Sequence, residues 1–215
     1  MGVTAYGESM SVSEPGLPPS GRSMRERASE LLTGALGSAI LMIVLVSAMW
    51  AIEILDYVEN NRLDRYGIVA HEPDGLPGIF FAPFLHAGFA HLMANSVPLL
   101  ILGFVAAIRG IGRFLVASLI VILVSGMGVW LTSPPDTLTI GASGLVFGYF
   151  GYVVARGLFD RRALDIVLGV VVAVLYYSIL WGALPTQPGV SWQGHLFGLI
   201  GGVIAAWLLR RRRAY

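Results

Sequence analysis
The chain has 215 residues, 56% of them apolar and 13% charged. An ordinary soluble domain has roughly 45–50% and 25%, so a soluble fold is excluded and there is room for about six membrane spans of roughly 20 residues. A net charge of +1 offers no basic surface for nucleic acid, and the absence of cysteine removes disulfides, thiolate metal sites and cysteine nucleophiles together. Residues 1–30, rich in Gly, Ser and Pro and carrying Arg22, Arg25, Glu26, Arg27 and Glu30, cannot build a core and are expected to form a disordered tail. The first apolar run, 31–52, is uncharged and long enough to span, which a secretory signal is not.

A polar stretch from Glu53 to about residue 85 ends in the apolar segment 78–84 and reads as a long first loop with its end in the membrane interface. Further spans are expected at 89–108 and 114–132, the latter stopped by Pro134-Pro135, then from about Gly141 to Arg156, and at 166–184 and 191–209. The division is therefore a tail over 1–30, one six-helix membrane domain over 31–210 and a short basic tail over 211–215. The arginines of the N-terminal tail, the loops after spans two and four, and the C-terminus account for all but two of the 14 basic residues. The positive-inside rule then places both termini in the cytoplasm, and Trp50, Trp130, Trp181 and Trp192 fall at outer helix ends.

Polar groups in lipid are costly enough to be functional candidates by default. Here they are His91 and Asn95 in span two, Ser143 in span four and His195 in span six, all in the first turns of spans that begin at the outer face. Residues 141–155 make only about 22 Å of helix against roughly 30 Å of hydrocarbon. With Arg156 held at the cytoplasmic boundary, Ser143 is recessed below the outer surface, at a helix N-terminus whose free N–H groups suit a developing anion. Gly144 and Gly148 on span four, and Gly194, Gly198 and Gly202 on span six, recur every four residues, the spacing that lets helices pair closely in lipid. Such a crossing would bring Ser143 and His195 together as nucleophile and general base. His91 and Asn95, one turn apart, would share a helix face and aim donors at one point.

These residues resemble the rhomboid intramembrane serine proteases. Gly141-Ala142-Ser143-Gly144 is similar to the family's G-x-S-G, His86, His91 and Asn95 to its H-x4-H-x3-N, and Gly194-His195 with Gly198 and Gly202 to its [A/G]-H-x2-G-x3-G. The resemblance covers roughly residues 36–210. It implies an all-α, six-transmembrane-helix bundle with Ser143 as nucleophile and His195 as its base, in a dyad without a third acid. It also implies an oxyanion hole from His91, Asn95 and the Ser143 backbone N–H, with supporting roles for His86 and Gly141. Phe147 stands where relatives often have Tyr, so a ring can pack on His195 but a phenolic hydrogen bond is lost. The implied substrates are single-pass membrane proteins, cut near the outer interface of what is expected to be a prokaryotic plasma membrane. No cofactor is implied, the surrounding partners are membrane lipids, and the oligomeric state is not specified.

Taken singly, these residues have plainer readings. Ser143 fits a packing stripe, His195 a buried or haem-ligand histidine, Asn95 interhelical glue and His86 a structural role. Two rival functions follow: a non-proteolytic rhomboid-like protein that binds membrane helices, and a haem or metal protein using His86, His91 and His195. The second is weakened by the five-residue spacing of His86 and His91, which puts them on different helix faces, and by the lack of carboxylates near the histidines in the spans.

Overall fold
The structure, a computed structural model, describes residues 24–211. It is an all-α bundle of α1 (Met24–Val58), a short α2 (Gly78–Phe81), α3 (Phe89–Ala107), α4 (Ile111–Thr132), α5 (Ser143–Asp160), α6 (Ala163–Tyr176) and α7 (Trp192–Leu208). A 3-10 segment, Tyr177–Ala183, continues α6. The first loop is strapped down by two-residue strands, β1 (Ile68–Val69) and β2 (Leu138–Thr139), which pair antiparallel. Among the described residues, four segments are long and apolar enough to cross a membrane: Leu32–Val58, Phe89–Ala107, Ile111–Thr132 and Ala163–Ala183. α7 is a shorter apolar helix of 17 residues.

Several sequence expectations change, among them the end of the first helix, which runs past residue 52 to Val58. The tail expected over 1–30 is helical from Met24, because Arg25, Glu26, Arg27, Ala28 and Glu30 are mostly good helix formers that extend an apolar helix once it is nucleated. Residues 1–23 and the end of the C-terminal tail lie outside the described residues. Span four does not stop at Arg156. α5 runs on to Asp160 and turns at Arg161, which takes a left-handed φ of 50°. Arg156 is 4% exposed, and its charge is met by Asp165 at 3.2 Å and by the Val105 and Ala106 carbonyls at the end of α3 rather than by water.

α5 is the central helix, buried along most of its length against α3, α4, α6 and α7. The glycine stripes set its crossing with α7. A Cβ at Gly198 would land on the Gly144 carbonyl, and one at Gly202 on the Gly148 carbonyl, so larger residues would force the backbones apart. The core holds Met42, Met49, Leu92, Leu99, Tyr149 and Tyr152. Leu119 on α4 and Val170, Val174 and Leu175 on α6 are exposed, the apolar outer surface that lipid requires.

Candidate active site
The turn entering α5 is built for close approach. Gly141 has φ +120° and lies against the His91 ring, where a Cβ would fall 2.6 Å from Cε1. Its N–H donates to the Ala82 carbonyl at 2.8 Å, and the Ala142 N–H donates to His86 Nε2 at 3.3 Å. His86 is 1% exposed and sits edge-on to His91, with centroids 5.2 Å apart. Burial, with a smaller contribution from His91, pushes its pKa down to about 4, which keeps the imidazole neutral and able to accept. His86 thus anchors the Gly141-Ala142-Ser143 turn from behind.

The start of α7 is fixed from two sides. Ser191 caps the helix by accepting the Gly194 N–H at 3.2 Å. From α4, the Ser125 hydroxyl donates to the Gly194 carbonyl at 2.8 Å. His195 follows, buried, its ring stacked on Phe147 at 4.1 Å and 11°. Its Nδ1 lies 2.8 Å from the Gly182 carbonyl oxygen. A carbonyl only accepts, so Nδ1 carries the hydrogen, and in the neutral ring Nε2 is left with a free lone pair.

Ser143, His195, His91, Asn95 and Phe147 all line one cavity of about 730 Å³. No hydrogen bond joins Ser143 to His195 among the described residues; in unliganded sites such bonds are often long and tighten on substrate binding. Asn95 spends one amide hydrogen on the His91 carbonyl of its own helix, at 3.1 Å, which leaves its other N–H and its oxygen available. Pro98 lines the same cavity and cannot donate to the Ala94 carbonyl one turn back, so a backbone acceptor is freed there. A second cavity of about 30 Å³ touches Ser143 and Gly141 from the side of α4 and the first loop. Among the described residues, no three His, Asp or Glu side chains converge as metal ligands.

The four polar residues picked out within the spans therefore meet at one cavity. Gly141 adjoins Ser143 and His91, Phe147 covers the His195 ring, and His86 stands behind the cavity wall. Sequence reasoning missed Gly182 and Ser125. Gly182 contributes a backbone oxygen, which has no sequence signature, whereas Ser125, a serine within an apolar span, carried the same signal that singled out Ser143.

A family model described as Rhomboid domain matches residues 74–212. The uncharacterized protein Rv1337 of Mycobacterium tuberculosis is 45% identical over 181 residues, covering 80% of this chain and 75% of its own. The uncharacterized protein ML1171 of Mycobacterium leprae is 40% identical over 178 residues, covering 79% and 70%. YdcA of Bacillus subtilis, assigned by name as a rhomboid protease, is 29% identical over 133 residues, covering 60% and 65%.

Proposed function
Because the chain belongs to the rhomboid family, a family of intramembrane proteases, we propose that it is a serine endopeptidase that cuts transmembrane segments of single-pass membrane proteins. The observation that carries the reading is the cavity that Ser143 and His195 both line, together with the Gly182 carbonyl that engages His195 Nδ1 and so leaves Nε2 as the nitrogen available to act as a base.

In this reading Nε2 of His195 takes the Ser143 proton as Oγ attacks the scissile carbonyl. The new oxyanion is met by the Ser143 N–H, unpaired in the first turn of α5, and by donors from His91 and Asn95. The imidazolium gives the proton to the leaving amine as the scissile C–N bond breaks. An acyl-enzyme remains on Oγ. Water entering the cavity then attacks it, losing a proton to Nε2. As the acyl–Oγ bond breaks, Nε2 returns that proton to Oγ, which regenerates Ser143 and the neutral imidazole and releases the new carboxylate end. A helical peptide bond is hydrogen-bonded and dry, so substrates are segments of low helix stability that unwind into the cavity. The arginine bias supports six crossings, with both termini in the cytoplasm and the cavity opening at the outer face.

The test incubates purified protein with a generic transmembrane substrate beside a Ser143→Ala control, and treats both with a serine-directed phosphonate. Cleavage and labelling of wild type alone are expected. Folded wild-type protein that neither cuts nor labels, yet retains the substrate helix, would replace the protease reading with the non-proteolytic one.

A further inference from the structure
The proposed dyad lacks a third acidic member, yet the far nitrogen of its histidine is not free. Nδ1 of His195 donates to the Gly182 carbonyl at 2.8 Å, and that oxygen comes from the 3-10 segment Tyr177–Ala183 rather than from the histidine's own helix. Three contacts fix the ring. Phe147 covers one face at 4.1 Å, α7 holds its root, and the Gly182 backbone closes on its Nδ1 edge. A Cβ placed on Gly182 would sit 3.1 Å from Nδ1, 3.1 Å from Phe147 Cζ and 3.5 Å from His195 Cε1, tighter than ordinary packing at two of the three. Gly182 does not have a positive φ. Its lack of a side chain therefore serves the approach of its carbonyl to the imidazole and not a backbone turn.

We propose that Gly182 is a positioning residue for the dyad: its carbonyl occupies the place of the missing acid, and its missing side chain lets that carbonyl reach Nδ1. A neutral imidazole divides between two tautomers, and only the one protonated at Nδ1 can accept a proton at Nε2. A carboxylate in this place would also stabilise the imidazolium by charge. A carbonyl selects the tautomer and the ring orientation without placing an anion in the apolar bundle, where an unpaired charge is costly. Because the acceptor lies on another element, the base is competent only while the segment 177–183 rests against α7. The inference rests on the protease reading for its consequence and on the hydrogen bond alone for its geometry.

The test has two arms. In the first, wild-type protein labelled with ¹⁵N-histidine is read by NMR beside a His195→Gln variant, which identifies the His195 signals among the four histidines. The expected result is a protonated Nδ1 and a bare Nε2 at neutral pH; a protonated Nε2 would overturn the proposal whatever the enzyme does. In the second, Gly182→Ala is expected to keep its melting temperature and KM while kcat falls roughly 10²-fold, as a small misplacement of a reacting group does. Phosphonate labelling of Ser143 should slow in parallel, and the NMR should show mixed tautomers. Wild-type kcat in Gly182→Ala, or a loss of kcat with the wild-type tautomer intact, would overturn it. If wild type itself neither cuts nor labels, the protease reading fails, and the first arm still decides the geometry.

Discussion
At one end of α5, Ser143 faces an open cavity among neutral polar groups with bonding capacity to spare; about 20 Å along the same helix, Arg156 is closed into a salt-bridged cluster. There Asp165, 1% exposed, accepts from Arg109 at 3.0 and 2.8 Å and faces Arg156 at 3.2 Å, while Arg156 also reaches two α3 carbonyls. The cluster is charged and internally paired. The cavity end is uncharged and holds an imidazole with a free lone pair, an asparagine with a spare N–H and a carbonyl freed by Pro98. In an apolar bundle, a cluster of paired charges is occupied with itself, whereas polar groups with bonding capacity left over beside a cavity are available to a substrate.

The contrast breaks most sharply at the cavity. Ser143→Ala and His195→Ala are each expected to reduce kcat by about 10⁴-fold or more, since members of such a unit are lost almost as completely singly as together. Melting temperatures should stay near wild type. Substantial turnover in either purified variant would remove the dyad.

The opposite end should show the reverse pattern. Asp165→Ala leaves Arg156 buried and without its counterion, and breaking a buried pair in this way costs about 3–5 kcal/mol. Unfolding in mixed micelles should register that loss, with kcat per folded molecule unchanged. Loss of activity at an unchanged melting point would mean that the cluster belongs to the chemistry.

Intermediate effects sharpen the cavity itself. Asn95→Ala and His91→Ala each remove one proposed oxyanion donor and leave nucleophile and base in place, so kcat should drop by about 10²–10³. Asn95 also ties into its own helix at 3.1 Å. If that is its whole role, the melting temperature falls and kcat, counted per folded molecule, recovers.

What could be read from the sequence followed from rarity and period. A histidine or asparagine in an apolar run stands out, and glycines every fourth residue announce a close crossing, so Ser143, His195, His91 and Asn95 were legible together with the α5–α7 contact. Long-range pairing was not legible. Arg156 looks like a boundary residue until the turn at Arg161 brings Asp165 back beside it. The strands at 68–69 and 138–139 are too short to carry a pattern. Glu53 and Asp56 read as the start of a solvated loop, yet both are 2% exposed, because α1 continues to Val58 and the chain after it folds back over them.

Those two carboxylates give the smallest expected effect, and one that belongs to neither end of α5. Asp64, in the first loop, is partly buried beside them, with its Oδ1 lacking a donor, while Asp56 accepts the Leu63 N–H at 2.6 Å. Burial first, then the charges of Asp56 and Glu53, raise the Asp64 pKa from 3.8 to about 6. Between those values the folded protein keeps a proton that the unfolded chain has released, so stability falls as pH rises through the window and stays lower above it. Asp64→Asn mimics the protonated form. It should raise the melting temperature at pH 7 to 8, change it little near pH 4 and flatten the slope between, without altering kcat. An unchanged slope in Asp64→Asn would mean that the carboxylate is solvated, and that the first loop does not close over the end of α1 as the buried Glu53 and Asp56 require.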